Sequence, residues 1–325
     1  MQLQNKNILI TGGAGFIGSN LVDYFLQKNK VRVIDNLITG KKENIEHHFS
    51  NPDFEFIEAD IRDLAVCKEA VKDIDIVFHQ AALGSVPRSI NDPITTNSIN
   101  ISGFLNIITA ARDANVKRFV YAASSSTYGD STELPKKEDN IGKPLSPYAI
   151  TKYVNELYAQ VFADLYKMEV VGLRYFNVFG KRQDPNGAYA AAIPLFIKQL
   201  INHEQPVING DGSITRDFTY IKNVVQINEL AASITNKNAL NQVYNVAFGE
   251  NTSLNKLIDL LKQNLARYDK NIANIKPIHG PERIGDIHDS LASIEKAKKL
   301  LNYNPEYSVQ KGLEEAIDWY WNYFS

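Results

Sequence analysis

Eight residues near the start of the chain constrain its fold more than any others: Thr11-Gly12-Gly13-Ala14-Gly15-Phe16-Ile17-Gly18. They follow an apolar run of strand character, Ile8-Leu9-Ile10, and lead into a helical pattern from Phe16 to Leu26. Strand, glycine turn and helix, in that order, form the setting in which such a turn cradles a dinucleotide. Gly12 permits the tight turn. Gly15 lets the backbone approach a pyrophosphate seated on the helix N-terminus, and Gly18 lets the helix pack closely on the strand. The spacing is Gly-x-x-Gly-x-x-Gly rather than Gly-x-Gly-x-x-Gly. A second strand, Val31-Arg32-Val33-Ile34, ends at Asp35, 17 residues after Gly18. An acid there accepts hydrogen bonds from both adenosine ribose hydroxyls and repels a 2′-phosphate. A plain tight turn explains the glycines alone; it does not explain Asp35.

The rest of the pattern agrees with that beginning. Strands are expected at 6–10, 31–35, 54–58, 74–79, 118–122 and 170–174, and helices near 16–27, 64–71, 94–114 and 148–166. Alternation of this kind predicts an α/β fold, a doubly wound parallel sheet covered by helices on both faces. After residue 180 the pattern loosens into loops such as Asn209-Gly210-Asp211-Gly212-Ser213. A helix over Ile221 to Ile234, a strand over Gln242 to Val246 and late helices at 253–264, 293–300 and 309–323 follow.

Two further motifs bear on chemistry. Tyr148 and Lys152 stand four apart at the start of a predicted helix, so they share a face. An ammonium close to a phenol favours the phenolate, which otherwise forms only near pH ~10. That makes the pair a candidate general base. Ser124, in Ser124-Ser125-Ser126-Thr127-Tyr128-Gly129, follows the strand at 118–122, where open α/β sheets bind ligands. It is placed to bond a substrate hydroxyl and share its proton with Tyr148. Alone, each has a bland reading: a solvated helix face and a serine-rich turn.

In this order the motifs resemble those of the extended short-chain dehydrogenase/reductases, across essentially the whole length, and within them the nucleotide-sugar 4-epimerases. The most similar branch acts on UDP-N-acetylhexosamines, as the bacterial UDP-N-acetylglucosamine 4-epimerases do in surface-polysaccharide (O-antigen) synthesis. Further matching stretches are Leu83 to Ser89, Arg174-Tyr175-Phe176-Asn177-Val178-Phe179-Gly180, Gln183 to Tyr189 and Arg216-Asp217-Phe218. The resemblance implies bound NAD, a UDP-sugar substrate, and a homodimer joined through the helices near 94–114 and 148–166. It divides the chain into a Rossmann domain, 1–180 with 219–249 returning to it, and a smaller mixed α/β substrate lobe, 181–218 and 250–325. Ser124, Tyr148 and Lys152 would be catalytic. Cofactor contacts are implied for Gly12, Gly15, Phe16, Ile17, Gly18, Asp35, Asn36, Thr39, Gly40, Asp60, Ile61, Gln80, Ala81, Ala82, Asn100, Tyr148, Lys152 and Tyr175. Substrate contacts are implied for Gly84, Ser85, Arg88, Ser124, Ser126, Tyr148, Asn177, Arg216, Arg283, Asp286 and Ser290.

Other readings stay open beside these. Arginines suit a diphosphate, but Arg216 next to Asp217 also suits an ion pair. Asp60 also suits a cap on the helix that starts at Leu64. Asn177 reads as a buried amide in need of partners, and His79 as a buried, hydrogen-bonded histidine. His47 and His48 have no cysteine or carboxylate cluster at ligand spacing, so no metal site is expected. The related 4,6-dehydratases carry an Asp-Glu pair where Ser125 and Ser126 stand, and the glucuronate decarboxylases a glutamate at Ser126. Elimination and decarboxylation therefore lack their proton carriers here. Where tight galactose epimerases have a tyrosine, this chain has Ser290, which leaves room for a 2-acetamido group. A UDP-glucose/UDP-galactose epimerase and a silent NAD-binding protein of the same fold remain alternatives, and nothing decides between a C6 hydroxymethyl and a carboxylate.

Composition fits a cytoplasmic enzyme. The formal charge of −2 and the absence of a basic stripe argue against a nucleic-acid surface. Cys67 is the only cysteine, so no intrachain disulfide can form, and it reads as a small core filler. Residues 1–7 are polar, unlike a signal peptide, and no window is apolar enough for a membrane span.

Overall fold

The computed structural model describes residues 3–184, 191–281 and 289–325. Its strands β1 (Asn7–Thr11), β2 (Lys30–Asp35), β3 (Phe54–Glu58), β4 (Ile76–His79), β5 (Arg118–Ser124) and β6 (Val170–Tyr175) pair in parallel. The later strand Gln242–Val246 joins β6 in parallel and completes a seven-stranded sheet. From one edge the order is Gln242–Val246, β6, β5, β4, β1, β2, β3. The chain winds outward from β1 to β3, then crosses to the other side of β1 to make β4. The crevice beyond the carboxyl ends of β1 and β4 is therefore the switch point where such sheets take ligands.

Strand residues alternate between two cores. Ile8 and Ile10 face one that runs on through Phe25 and Phe78 to Leu257, Leu313 and Tyr320 near the C-terminus. Leu9 faces the other, with Cys67, Phe104, Phe119 and Phe162. β5 is buried along its whole length, as a strand covered on both faces must be.

The helices before β6 are α1 (Phe16–Phe25), α2 (Leu64–Ala70), α3 (Val86–Asn91), α4 (Pro93–Asn97), α5 (Phe104–Asp113) and α6 (Pro147–Tyr166). Between α4 and α5 the chain widens into a π-helical turn, Ser98–Gly103. The periodic pattern gave no sign of α3 or of the helix Ala192–Ile201. Both carry a proline near the start, Pro87 and Pro194, which reads as a break but is tolerated in a first helical turn. Small ribbons pair Val178–Phe179 with Thr219–Tyr220, and Thr215–Arg216 with Thr252–Ser253. No helix among the described residues is long and apolar enough to cross a membrane.

Candidate active site

A cavity of about 490 Å³ opens at the switch point, lined from the carboxyl ends of β1, β2, β4 and β5 and the start of α6. Gly12 sits at φ +69, and a Cβ there would lie 2.7 Å from the Ala81 backbone. Only glycine lets the turn after β1 meet the end of β4. A Cβ on Gly18 would lie 2.1 Å from the Gly12 carbonyl oxygen, so α1 is pressed onto the glycine turn itself rather than onto the strand. Gly15 caps α1 without a side-chain acceptor, and the helix has no acid in its first turn. Gly12, Gly15, Phe16, Ile17 and Gly18 all line the cavity.

At its far end Asp35 accepts the amides of Leu37 at 2.8 Å and Ala14 at 3.0 Å. Burial raises its pKa, and these amides oppose the rise. Asn36 donates to Asp60 at 2.7 Å. Arg62 clamps the same carboxylate, which holds it down at about 2. The cap on α2 is Asp63, not Asp60. Thr39, Asp60, Ile61, Gln80, Ala81, Ala82 and Gly84 line the cavity. Gly40 and Asn100 do not. A Cβ on Gly40 would meet the Asp35 carboxylate at 2.8 Å. Asn100, on the π-helical turn, accepts from the Leu83 amide at 2.8 Å and donates to Thr151 at 3.1 Å. It braces the loop that supplies Leu83 and Gly84 against α6.

Ser124, Tyr148, Lys152 and Tyr175 converge on the same cavity. A 3₁₀ turn after β5 brings the Ser126 hydroxyl to 2.9 Å and its amide to 3.2 Å from Ser124 Oγ. α6 starts with Ser146 as its cap and Pro147 in its first turn, and the Tyr148 amide donates to Ser89 Oγ at 3.0 Å. The phenol's pKa is raised by burial, while a hydrogen bond with Ser124 pulls the other way. This departs from the sequence expectation. Lys152 gives its ammonium to the Ala122 carbonyl at 2.8 Å, and burial lowers its own pKa to about 8. One turn further along α6, Glu156 meets Arg174 at 2.7 Å, both nearly buried. Helical spacing puts Glu156 at i+4 from Lys152, but its partner Arg174 comes from β6. His79 is buried against Thr11, Nδ1 to Oγ1 2.8 Å, as expected.

A second cavity, about 240 Å³, meets the first at Asn177, Val178, Gln183 and Ala191 and is also lined by Arg216. Asn177 is exposed rather than buried, at φ +32, where asparagine is tolerated. Asp217 accepts the amides of Phe248, Gly249 and Ala292, each at 3.2 Å, so its carboxylate serves the backbone. Ser290 donates its amide to Thr215, the neighbour of Arg216, at 3.2 Å. Ser85 caps α3, and neither Ser85, Arg88, Ser126 nor Ser290 lines either cavity. Arg283, Asp286 and the stretch from Pro185 to Tyr189 lie outside the described residues. Spacing missed a carboxylate beside the histidine pair: Asp23, from α1, is 3.2 Å from His47 and 2.9 Å from His48. Lys181 and Arg182 reach the same carboxylate at 2.8 and 3.0 Å, so it is already neutralised by cations.

Residues 8–247 match the model of the NAD dependent epimerase/dehydratase family. The chain belongs to that family. The UDP-N-acetylglucosamine 4-epimerase of Methanobrevibacter ruminantium M1, solved in complex with UDP-N-acetylmuramic acid, is 39% identical, with TM-score 0.92 over 99% of this chain and 100% of that one. The UDP-glucose 4-epimerase of Thermotoga maritima, solved with UDP-glucose, is 35% identical with TM-score 0.89, over 98% and 100%. The UDP-glucuronic acid 4-epimerase of Bacillus cereus, with UDP-glucuronic acid and NAD, is 32% identical with TM-score 0.87, over 98% and 99%.

The family's cofactor, NAD, fits the larger cavity on its own terms. The first turn of α1, with no side-chain cap and no acid, presents backbone N–H groups to a pyrophosphate, and Asp35 stands where a ribose would lie. The Gln80 amide nitrogen is buried, lines the cavity and has no hydrogen-bond partner among the described residues. A ligand acceptor would complete it.

Proposed function

We propose that the chain inverts C4 of a UDP-N-acetylhexosamine, interconverting UDP-GlcNAc and UDP-GalNAc or their uronic acids, for a surface polysaccharide. The observation that carries this reading is a hydroxyl base without a carboxylate beside it. Tyr148 and Ser124 face the larger cavity, whereas the carboxylates among its described lining residues, Asp35 and Asp60, belong to the β2–β3 end. A phenol and a serine suffice to move the proton of a sugar hydroxyl; elimination or decarboxylation needs an additional acid or base.

Tyr148, as phenolate, takes the proton of the C4 hydroxyl, with Ser124 bonded to the same oxygen. Bound NAD supplies the oxidant for C4 and afterwards the reductant, so no net redox change results. Lys152, whose ammonium is held by the Ala122 carbonyl at 2.8 Å, would donate to the nicotinamide ribose of bound NAD. The 4-keto sugar turns over and is reprotonated at O4 by Tyr148 on its other face. Such turning needs a loosely held ring on a firmly held handle. Arg216 and Asn177, in the second cavity, are placed to hold that handle, with 181–218 and 250–325 forming the substrate lobe. Ser290 beside the Thr215–Arg216 ribbon favours the acetamido sugar by its small size. The likeness to the Thermotoga maritima enzyme favours UDP-glucose/UDP-galactose as the second reading.

The test is conversion without added cofactor. Purified protein is given UDP-GlcNAc, UDP-Glc and UDP-GlcNAcA separately, and the anomeric protons are followed by NMR. Conversion of the acetylated sugars to their C4 epimers is expected. Conversion of UDP-Glc alone would overturn the substrate assignment, and no conversion even with NAD added would overturn the reaction.

The partner, we propose, is a second copy. Ile150, Leu157, Val161 and Leu165 make an exposed apolar stripe along α6, and Ile94 on α4 is 81% exposed. Light scattering is expected to give twice the chain mass; a monomer at high concentration would refute this.

A further inference from the structure

Gln80 follows β4 and lines the cavity with two amide ends in different surroundings. Its Oε1 faces the Tyr175 hydroxyl at 3.2 Å, and its buried Nε2 has no partner among the described residues. Which end of an amide faces which way is decided by its hydrogen-bond network. Here the network can be followed outward to a group of fixed polarity.

That group is the backbone carbonyl of Val224, which can only accept. The atom of Asn228 2.8 Å from it must therefore be the nitrogen, Nδ2. The same Nδ2 donates its other hydrogen to the Tyr175 oxygen at 2.9 Å. The Tyr175 hydrogen must then point elsewhere. Its acceptors are Gln80 Oε1 and, at 3.3 Å, the oxygen of the same Asn228 amide. The Asn228 oxygen shares an amide plane with the nitrogen already bonded to that hydroxyl, which leaves Gln80 Oε1 the better directed acceptor. Tyr175 keeps its proton throughout the neutral range, because burial pushes its pKa up to about 12. Asn228 itself is fully buried and lines neither cavity.

We propose that Asn228 is a positioning residue for the cofactor: through Tyr175 it fixes the Gln80 amide with its N–H donors toward the cavity. The inference rests on NAD occupying that cavity. The ligand atom it calls for is an acceptor, a carboxamide, ribose or phosphate oxygen of NAD. A hydrogen-bond donor at that place would meet two N–H groups and be rejected.

The test measures NAD rather than turnover. Wild type, Asn228→Leu, Tyr175→Phe and the double variant are purified. NAD released on denaturation is counted per chain, the NAD dissociation rate is measured, and thermal midpoints are recorded. Asn228→Leu is expected to speed NAD loss about tenfold, the size of one hydrogen bond. Tyr175→Phe should do the same, and the double variant no more than either, because both break one relay. Unchanged NAD retention in folded Asn228→Leu would overturn the proposal, as would additive losses in the double. Should Asn228→Leu not fold, Tyr175→Phe and Gln80→Glu, singly and together, decide by the same criterion. Wild type that neither carries nor takes up NAD would instead refute the cofactor assignment on which this rests.

Discussion

Lys152 donates a 2.8 Å hydrogen bond to the carbonyl oxygen of Ala122, two residues before Ser124 on β5. The ammonium is thus tied to the sheet, and the phenol of Tyr148 feels burial first. In cofactor-free protein, Lys152→Met is expected to leave the Tyr148 titration where it is, above the ordinary tyrosine value. The readout is the tyrosinate absorbance missing from Tyr148→Phe. A clear rise of that pKa in Lys152→Met would mean that the ammonium does act on the resting phenol.

Tyr148→Phe removes the proposed base and little else, since its backbone amide still reaches Ser89. Turnover should fall by a factor on the order of 10²–10⁴ while NAD per chain stays at the wild-type level. An unchanged rate would exclude Tyr148 as the base.

Ser290→Tyr adds a ring beside the Thr215–Arg216 ribbon. Activity on N-acetylated UDP-hexoses should drop, with UDP-glucose turnover largely spared. Equal losses on both, read from kcat/KM, would refute the volume argument.

Arg174 and Glu156 form a buried pair behind the active-site helix, the guanidinium contacting both carboxylate oxygens at 2.9 and 2.7 Å. Arg174→Met leaves the carboxylate buried and unpaired, and should cost about 3–5 kcal/mol in urea unfolding. Removing both charges, with Glu156→Leu added, should recover most of that loss. A double variant as unstable as the single would refute the unpaired-charge account.

His79 supplies a pH dependence of stability. Burial, and then the charge of Lys152, lower its pKa to about 3, against 6.5 ordinarily. Between those values the unfolded chain binds the extra proton, so stability is full above the ordinary pKa and is lost as pH falls toward the folded one. The thermal midpoint should therefore fall on acidification below about pH 6.5, and fall less in His79→Leu. Parallel curves would remove His79 from the account.

Much of this site could be read from local pattern. The glycine turn, Asp35, Ser124 and the Tyr148–Lys152 spacing are short-range signals, and each reaches the predicted cavity. What stayed hidden depends on groups far apart in sequence. Nothing local indicates that Asn100 would brace Leu83, that Asn228 would meet Tyr175, or that Asp23 would join His47 and His48. The Lys152 expectation failed for the same reason. Helical spacing places the ammonium one turn from the phenol, but the carbonyl that captures it belongs to another strand. Asn177 adjoins an apolar strand, yet it is exposed, and its amide finds a partner far along the chain, the Asp217 carbonyl at 3.1 Å.

The helix α6 has Tyr148 and Lys152 toward the cavity, Glu156 in its interior ion pair, and Ile150, Leu157, Val161 and Leu165 facing outward. Over 20 residues it is a single stiff rod. Its outer residues are consequently not free to drift as surface residues elsewhere are. A substitution that shifts the rod carries the phenol with it. Selection for turnover therefore reaches positions that never touch a sugar.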